Sequence, residues 1–279
     1  MLWVTGDLHG GETSWHVSAS RFNGDAGDIV LCAGDLGGVW YHDYRMNRKH
    51  KAQEDFFLEK TLRPKFLWLA VDGNHENFAR LFGGEFPLVD LFGGKAYKVR
   101  DHVFYLKRGE VFSIGGKTIL ALGGATSHDK KPAFQENLYG KLGRWPGRTE
   151  GFDWWPEEVP SSTDMENARR NLDRFGWKVD YVLSHTCPVS QRLLFGGQGR
   201  AEDPTEVMLQ DLLDDGLEFK RWHFGHYHKE QQVDRFVCHF DAVRELEPCW
   251  GEKEKFCSVQ SKVGRDLAGV AQFGRAPDL

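Results

Sequence analysis

The chain has little cysteine and no long hydrophobic run. Its five cysteines are odd in number and form no C-x-x-C pair, which argues against a disulfide framework and against a cysteine zinc site. No stretch approaches the roughly 20 apolar residues that a membrane-spanning helix needs. The N-terminus runs from Met1 through apolar Leu2-Trp3-Val4 to polar Asp7, so we expect no secretory leader. These absences predict a protein of the reducing cytoplasm.

An excess of positive charge is also missing. The formal net charge is -5 at pH 7, so the sequence as a whole has no attraction for nucleic acid or for an anionic membrane. Nucleic acid is therefore not indicated as a partner, and any phosphate-rich ligand must be bound by a local group of residues. The apolar fraction of 40% and the charged fraction of 28% are ordinary for a globular protein. We expect one domain over residues 1–250 and a tail with little periodicity over residues 251–279.

Five short apolar runs have the length and composition of β-strands, and each ends at a cluster containing Asp, Asn or His. The runs are Leu2–Val4, Ile29–Ala33, Phe66–Val71, Tyr181–Leu183 and Trp222–Phe224. Longer segments with helical spacing separate the first three runs, which predicts βαβ crossovers and mostly parallel strands. Because ligands bind at the carboxyl ends of strands in such sheets, we expect the polar clusters to converge on one edge.

The segments between these runs predict further elements of an α/β fold. Between Lys95 and Gly124 the pattern changes to short alternating runs broken by glycine, which predicts an antiparallel meander that begins a second sheet. The stretch 127–160 is rich in Gly, Pro, Trp and charge and lacks sustained periodicity, as in an irregular lid or insert. A helix is predicted over residues 164–175, capped by a serine or threonine at 161–163.

The polar clusters contain the residue types that bind a pair of divalent cations. Asp can neutralise and bridge such metals, His gives neutral nitrogen ligands to Mn, Fe or Zn, and Asn gives a neutral oxygen. Two cations roughly 3.5–4 Å apart polarise a phosphoryl oxygen and lower the pKa of bound water toward neutrality. The spacing of two in Asp7-x-His9 and His226-x-His228 predicts that each pair lies on one side of an extended segment and faces one centre.

The polar clusters together form an ordered set of motifs. In chain order the set reads Asp7-x-His9, Gly34-Asp35, Gly73-Asn74-His75-Glu76, His185 and Gly225-His226-x-His228. This set resembles the signature of the calcineurin-like metallophosphoesterases, and the segments 123–130 and 154–158 resemble a small bacterial and phage-type group within them. One such motif alone carries little weight, but five in this order after strand-like runs are specific. The resemblance covers residues 7–228 and implies two mixed β-sheets packed as a sandwich flanked by helices, in four α/β/β/α layers.

The resemblance also implies a dinuclear metal centre in the domain over residues 1–250. One metal would be held by Asp7, His9, Asp35 and His228, and the other by Asp35, Asn74, His185 and His226, with Asp35 bridging. His75 resembles the family's non-ligand histidine, which gives a proton to the leaving oxygen or stabilises charge there. The implied cofactors are two divalent ions, Mn first, with Fe, Zn or Ni as alternatives. The implied reaction is hydrolysis of a phosphomonoester or phosphodiester with metal-bound hydroxide as the nucleophile.

The chain departs from the protein serine/threonine phosphatases of this family. Those enzymes carry an Asp-Arg pair shortly after the Gly-Asp motif, whereas this chain reads Leu36-Gly37-Gly38-Val39-Trp40 there. The arginine that would bind phosphate is missing from its expected position, which weakens assignment to that branch. The alternative sources of positive charge are Arg45, Arg48, Lys130 and Lys131, and the candidate substrate contacts are Arg45, His128 and Lys130. The resemblance implies a phosphate-ester substrate, with a nucleotide and a phosphoprotein among the candidates.

Each proposed site residue has an ordinary structural interpretation when it is taken alone. Asp7, Asp35 and Asn74 are of types that often form turns or caps after strands, and a single histidine such as His75 often has only a structural role. Seven such residues rarely assemble the donors of one dinuclear site by accident. A second function class is a non-catalytic metal-binding or protein-docking module on the same fold. Such modules usually lose metal ligands, and in this sequence none of the motif ligands is lost.

Overall fold

The computed structural model describes residues 1–10, 17–41, 48–131, 133–136, 142–198 and 202–247. These residues form two mixed β-sheets with helices, which confirms the predicted α/β fold class. The chain divides into the units Met1–Glu247 and Pro248–Leu279. The second unit, and with it the predicted tail over residues 251–279, lies outside the described residues. Every helix in the described ranges is too short or too polar to cross a membrane.

The first sheet contains seven strands in the order β15-β1-β2-β3-β6-β5-β4. The strands are β1 (Leu2–Thr5), β2 (Ile29–Cys32), β3 (Leu67–Ala70), β4 (Leu88–Leu91), β5 (Gly94–Arg100), β6 (Val103–Leu106) and β15 (Arg244–Glu245). Strands β1, β2 and β3 are parallel, as the apolar runs and crossovers predicted. Strand β6 also runs parallel to β3, which the sequence analysis did not predict. The helices that accompany them are α1 (Val17–Arg21), α2 (Arg48–Phe56) with a π-helical turn over Phe57–Thr61, and α3 (Phe78–Leu81).

The second sheet contains six strands in the order β13-β14-β12-β11-β8-β7. The strands are β7 (Glu110–Ile114), β8 (Lys117–Leu122), β11 (Tyr181–Ser184), β12 (Arg221–Phe224), β13 (Gln231–Val233) and β14 (Phe236–Cys238). Strand β11 is parallel to both β8 and β12, whereas β7 and β13 are antiparallel edge strands. Helix α4 (Ser162–Arg174) precedes β11, and α5 (Pro204–Asp214) precedes β12, so both central strands are reached through helical crossovers.

The prediction of one antiparallel meander between Lys95 and Gly124 is wrong, because the two sheets share this segment. Strands β5 and β6 pair in the first sheet, and β7 and β8 pair in the second. The chain changes sheet near Gly109, which has a φ of +77° and whose Cβ, if present, would lie 2.6 Å from the backbone of α4. The second sheet therefore begins at β7. The alternation of apolar and polar residues is the same in either sheet, so the sequence pattern did not mark the division.

Apolar side chains fill three layers, one between the sheets and one on each outer face. Leu31 of the first sheet and Leu183 of the second belong to the layer between the sheets. Phe57 contributes to the cluster on the outer face of the first sheet, and Leu172 and Leu209 contribute to the cluster on the second. Burial of this apolar surface is the main term that stabilises the sandwich. The sheets are thereby fixed face to face, with helices outside.

The predicted insert over residues 127–160 contains short regular elements. Strands β9 (Ala133–Glu136) and β10 (Leu142–Trp145) form a two-stranded antiparallel sheet, and a 3₁₀ turn covers Pro156–Glu158. The predicted helix that follows is present as α4 and begins earlier than expected, directly after Ser161. The Ser161 hydroxyl accepts a hydrogen bond from the Asp164 amide at 3.2 Å, and the Asp164 carboxylate accepts one from the Ser161 amide at 2.9 Å. This reciprocal capping satisfies two amides at the helix start.

Arg108 joins the end of the insert to the first sheet. Its side chain is 4% exposed, and its Nη2 donates to Asp72 Oδ2 at 2.5 Å and to the Glu157 carbonyl at 2.8 Å. Asp72 immediately precedes the Gly73-Asn74-His75-Glu76 motif. Because both charges are buried, each is stabilised mainly by the other rather than by water. The pair fixes the insert beside the loop that carries Asn74.

Replacement of Arg108 by methionine is expected to destabilise the fold by about 3–5 kcal/mol, because Asp72 is left buried without its partner. The free energy of unfolding in urea, followed by circular dichroism, measures this change. The control is Lys178→Met, which removes one partner of the exposed Lys178–Glu218 pair (2.9 Å) and is expected to cost less than about 1 kcal/mol. A loss for Arg108→Met no larger than the control's would contradict the role given to the pair.

Candidate metal centre

The predicted ligand side chains lie at the carboxyl edges of the two sheets. Asp7 and His9 follow β1, Asp35 follows β2, Asn74 follows β3, His185 follows β11, and His226 and His228 follow β12. Strands β1, β2 and β3 are neighbours in the first sheet, and β11 and β12 are neighbours in the second. Residues of the loops after β1, β2, β3 and β12 line one pocket, as expected for parallel strands. Asp7 and His185 are buried and lie outside that lining. The pocket lining includes His9, Asp35, Asn74, His75, His128, Asp129, Arg148, His226, Tyr227 and His228.

Asp7, His9 and His228 form one group of donor atoms. One ligand atom from each lies within 4.8 Å of the others, and His9 Nε2 is 3.1 Å from His228 Nε2. Asp35 Oδ2 approaches the group at 3.7 Å from His9 Nε2. Imidazole nitrogens bind first-row metals at about 2.0–2.1 Å, so two nitrogens about 3 Å apart are at the separation of neighbouring ligands on one cation. The arrangement suits a single ion beside these three side chains.

Asn74, His185 and His226 form a second group with Asp35. Asn74 Oδ1 lies 3.1 Å from His185 Nε2 and 3.0 Å from His226 Nδ1. His185 Nε2 is 3.3 Å from Asp35 Oδ2. The same carboxylate oxygen of Asp35 therefore reaches the donors of both groups, at 3.3 Å and 3.7 Å. A carboxylate in this position can bridge two cations.

The backbone at five of the seven predicted ligands is left-handed rather than extended. The φ angles are +50° at Asp7, +50° at His9, +48° at Asp35, +67° at His226 and +51° at His228. The prediction that the Asp-x-His and His-x-His pairs lie on extended segments is therefore wrong. His9, His226 and His228 nevertheless line one pocket, and a ligand atom of buried Asp7 lies within 4.8 Å of ligand atoms of His9 and His228. Non-glycine residues adopt this conformation rarely, and Asp and His are among the types that tolerate it. Such strained residues cluster at functional sites, where the surrounding structure holds them.

Two glycines allow the loops to approach each other at the centre. A Cβ on Gly34, which has a φ of +86°, would lie 2.2 Å from His185 Nδ1. A Cβ on Gly73 would lie 2.0 Å from Asp35 Oδ1. Any side chain at these positions would displace a proposed ligand. The Gly residues of the Gly-Asp and Gly-Asn motifs thus have a steric function beside the ligands.

Asp7 has a buried oxygen that is unsatisfied within the described part of the chain. Its Oδ1 accepts a hydrogen bond from the His226 amide at 3.0 Å, whereas Oδ2 has no hydrogen-bond partner among the described residues. A buried carboxylate oxygen without a partner is costly, and such atoms are rare in folded proteins. A cation near Oδ2 would remove this cost. Together with the mixed oxygen and nitrogen donors, this fits hard or borderline divalent metals.

The electrostatics of the centre's own side chains are dominated by burial and by the Asp35–His185 contact. Burial raises the pKa of the Asp7 carboxyl to about 7, against the opposing effect of His185. Burial alone would also raise the pKa of Asp35, but His185 holds it well below its usual range. Burial alone would lower the pKa of His185, but Asp35 and Asp7 raise it to about 10. Protons thus compensate the clustered carboxylates when no metal is bound.

Asn74 is oriented by the insert through a chain of hydrogen bonds. Its Nδ2 donates to Ser127 Oγ at 3.2 Å, and Ser127 Oγ donates to Glu158 Oε2 at 2.8 Å. Glu158 is fully buried, and its Oε1 accepts from the Ser127 amide at 2.9 Å and from Lys130. These bonds fix the Asn74 amide with its oxygen toward His185 and His226. No periodic pattern predicted this series of hydrogen bonds, because Ser127, Lys130 and Glu158 come from an irregular segment.

His75 lies beside the first group of donors. Its backbone amide donates to Asp35 Oδ1 at 2.8 Å, and its ring stacks on Trp40 with centroids 5.7 Å apart. One ring nitrogen, His9 and Asp35 have donor atoms within 4.8 Å of one another. These interatomic distances are compatible with His75 as a metal ligand and with His75 as a residue that faces the substrate.

Glu76 has a structural role at the centre, which the sequence analysis did not predict. It is fully buried, and its carboxylate accepts hydrogen bonds from the Gly73 amide at 2.7 Å and from the Gly37 amide at 3.3 Å. Tyr105 donates to it at 3.3 Å. Burial, together with the nearby Asp35 charge, raises the pKa of Glu76 to about 8. Glu76 thereby ties the loop after β3 to the loop after β2.

The predicted substrate contacts occupy different places. His128 lines the pocket with its Nε2 at 2.8 Å from His226 Nε2. Lys130 pairs with Glu158 and lies over the Trp154 ring at 4.1 Å from the centroid, outside the pocket lining. Arg48 and Lys131 are exposed and also outside that lining, and Arg45 lies outside the described residues. The structure instead places Arg148 in the pocket wall, a residue that no spacing in the sequence distinguished from its neighbours in the insert.

Sequence comparison agrees with this geometry. The family model for calcineurin-like phosphoesterases matches residues 1–230, which include every predicted ligand. No curated protein matches the chain. The family match therefore covers most of the 279 residues, whereas no individual relative supplies a substrate.

Metal binding at this centre is expected to release protons at neutral pH and to tighten as pH rises from about 6 to 8. The metal must displace the protons held by Asp7, whose pKa is raised to about 7, and by His185, whose pKa is raised to about 10. Calorimetric titration of the metal-free protein with Mn²⁺ in buffers of different ionisation enthalpy measures the number released. Binding without proton release at pH 7, or with affinity independent of pH, would contradict this view of the centre.

Proposed function

Because the chain belongs to the calcineurin-like phosphoesterase family, we propose that its pocket binds two divalent metal ions and hydrolyses a phosphate ester. Family membership indicates metal-dependent phosphoester hydrolysis, and the described residues contain clusters that could hold a metal. The observation that carries the proposal is the convergence of both donor groups on Asp35 Oδ2, within 3.7 Å of His9 and 3.3 Å of His185. Residues from five strand ends meet there.

The proposed metal ligands are the side chains of the two donor groups that share Asp35. Asp7, His9, Asp35 and His228 would hold one ion, and Asp35, Asn74, His185 and His226 would hold the other. When bound, the ions would polarise the phosphoryl oxygens and make a strong nucleophile available at neutral pH. Mn is the first candidate for both ions, and Fe, Zn and Ni are alternatives, since mixed oxygen and imidazole donors suit all of them.

His75 is the proposed proton donor for the leaving oxygen. Its ring lines the pocket, and the bond from its amide to Asp35 Oδ1 at 2.8 Å fixes its backbone next to the bridging carboxylate. Trp40 stacks on the ring and limits its rotation. A histidine held in this way can hydrogen-bond the leaving group and transfer a proton to it as the ester bond breaks.

The substrate is a phosphomonoester or phosphodiester, and we keep both classes in the proposal, with a nucleotide and a phosphoprotein as candidate molecules. The loops of a fold set which molecule is bound, whereas the donors set the reaction. We also propose a reducing cytoplasmic location, which the free and buried thiols of Cys32, Cys187 and Cys238 support.

Asp35→Asn is expected to remove metal and activity together, because the amide cannot bridge two cations as a carboxylate does. The loss of turnover should exceed the roughly 10–100-fold that removal of an outer hydrogen-bond partner costs a metal site. Hydrolysis of p-nitrophenyl phosphate and bis-p-nitrophenyl phosphate with Mn²⁺, and metal content by mass spectrometry, measure the effect. The control is Asp90→Asn, at an aspartate whose side chain is 88% exposed.

Two outcomes would count against the proposal. Metal-dependent turnover that is unchanged in Asp35→Asn would exclude this centre as the site of reaction. A folded wild-type protein that takes up almost no metal and hydrolyses neither ester would instead favour a non-catalytic docking module.

His75→Gln is expected to lower kcat by about 100- to 10,000-fold, because the substitution removes the proposed general acid. The metal content should stay at the wild-type level, because His75 is not one of the proposed metal ligands. Steady-state kinetics and metal analysis on the same preparation test both parts. The control is His50→Gln, since His50 lies in α2, stacked on Tyr41 and outside the pocket lining. A loss of metal in parallel with activity would assign His75 to the ligands instead.

A further inference from the structure

Among the described residues, Arg148 is the one Arg or Lys side chain in the pocket lining. The other lining residues are carboxylates, imidazoles, an amide and a tyrosine. A phosphate ester brings one or two negative charges into this pocket and toward Asp35 and Asp129. A fixed cation on the pocket wall would reduce that repulsion and orient the phosphate. The place after Gly34-Asp35, where a phosphate-binding arginine was expected, contains Leu36-Gly37-Gly38-Val39-Trp40 instead.

The guanidinium of Arg148 is held on two sides. Its Nε donates to Asp129 Oδ1 at 2.5 Å, and its Nη1 donates to the Asp153 carbonyl at 3.0 Å. The side chain is 11% exposed and belongs to the pocket lining. A planar guanidinium held by two such bonds has a defined orientation. Asp129 comes from the start of the insert and Asp153 from its end, so the insert itself sets the position.

The Nη2 atom of Arg148 lies 3.4 Å from His75 Nε2. Arginine has donors and no acceptor, so this contact is a hydrogen bond only when His75 Nε2 carries a lone pair. Nη2 therefore lies beside a ring nitrogen of the proposed proton donor. A phosphate bound between them would accept from the arginine and would leave that nitrogen able to carry a proton.

We propose that Arg148 binds the phosphate group of the substrate and replaces the arginine that is absent after Gly34-Asp35. The inference rests on the proposed function of the same pocket and names the residue that recognises its substrate class, a phosphate-bearing molecule. Two parallel N–H bonds from a guanidinium match two phosphate oxygens. Lys130 does not compete for this role, because its ammonium group is paired with buried Glu158.

The test compares Arg148→Ala and Arg148→Lys with the wild type, each loaded with Mn²⁺. Calorimetry with inorganic phosphate is expected to show affinity lowered about 10- to 100-fold in Arg148→Ala, the size of effect for a lost charge-assisted hydrogen bond. KM for p-nitrophenyl phosphate should rise by a similar factor. The phosphate affinity of Arg148→Lys should lie between those of the wild type and Arg148→Ala, because lysine keeps the charge and lacks the planar guanidinium. Metal content should be unchanged in both variants.

The control is Lys131→Ala, which removes an exposed cation of the same insert outside the pocket lining and should leave phosphate affinity within about twofold of the wild type. Phosphate affinity in Arg148→Ala equal to that of the wild type would overturn the inference. A fall in kcat alone, with phosphate affinity unchanged, would also overturn it and make Arg148 a positioning residue for His75. If Arg148→Ala does not fold, Arg148→Lys replaces it in the test, and a phosphate affinity of Arg148→Lys equal to that of the wild type would overturn the inference.

Failure of the proposed function is seen separately, in the wild-type protein. A wild type without Mn²⁺-dependent turnover would reject the reaction while the phosphate calorimetry still tests Arg148. A wild type that turns over, with an Arg148→Ala variant indistinguishable from it, would reject the arginine alone.

Discussion

The centre depends on one carboxylate that two loops and two donor groups share. Asp35 Oδ2 lies within 3.3 Å of His185 and 3.7 Å of His9, while its Oδ1 accepts the His75 amide at 2.8 Å. This puts a fully buried negative charge where the edges of both sheets meet. Imidazole side chains surround this charge, and one of them, His185, holds the pKa of Asp35 well below its usual range. Without Asp35 the two groups would have no common atom.

The concentration of polar donors opposes folding and is tolerated because the rest of the domain is apolar and well connected. Five of the seven proposed ligands have positive φ, and residues held in such sparsely populated regions cost of the order of 1–3 kcal/mol each. Asp7 adds a buried oxygen without a partner among the described residues. The apolar layers on both faces of each sheet supply the opposing stabilisation. Glu76 and the Arg108–Asp72 pair then hold the strained loops in place.

Sequence patterns were sufficient wherever a strand ended in a motif. The runs before Asp7, Asp35, Asn74, His185 and His226 all form strands. Their motifs lie at the carboxyl edges of two sheets rather than on the one edge that was predicted. Spacing was a poor guide to backbone conformation, because glycine-rich loops turn left-handed at Asp7 and His9 where alternation suggested extended chain. The spacing of apolar residues also did not show that the β5–β6 hairpin belongs to the first sheet and the β7–β8 hairpin to the second. Both failures concern partners and turns that are fixed by tertiary contacts rather than by local periodicity.

The strand ends and the insert contribute different things to the pocket. The strand ends bring donors whose types are constrained by metal chemistry, and such residues stand out in a sequence because few other roles require them together. The insert brings Ser127, Glu158 and Arg148, which orient Asn74 and face His75. Serine, glutamate and arginine are common on any surface, so only their contacts distinguish them. The chemistry of the centre could therefore be inferred from the sequence, whereas the residue proposed to contact the substrate phosphate required the fold.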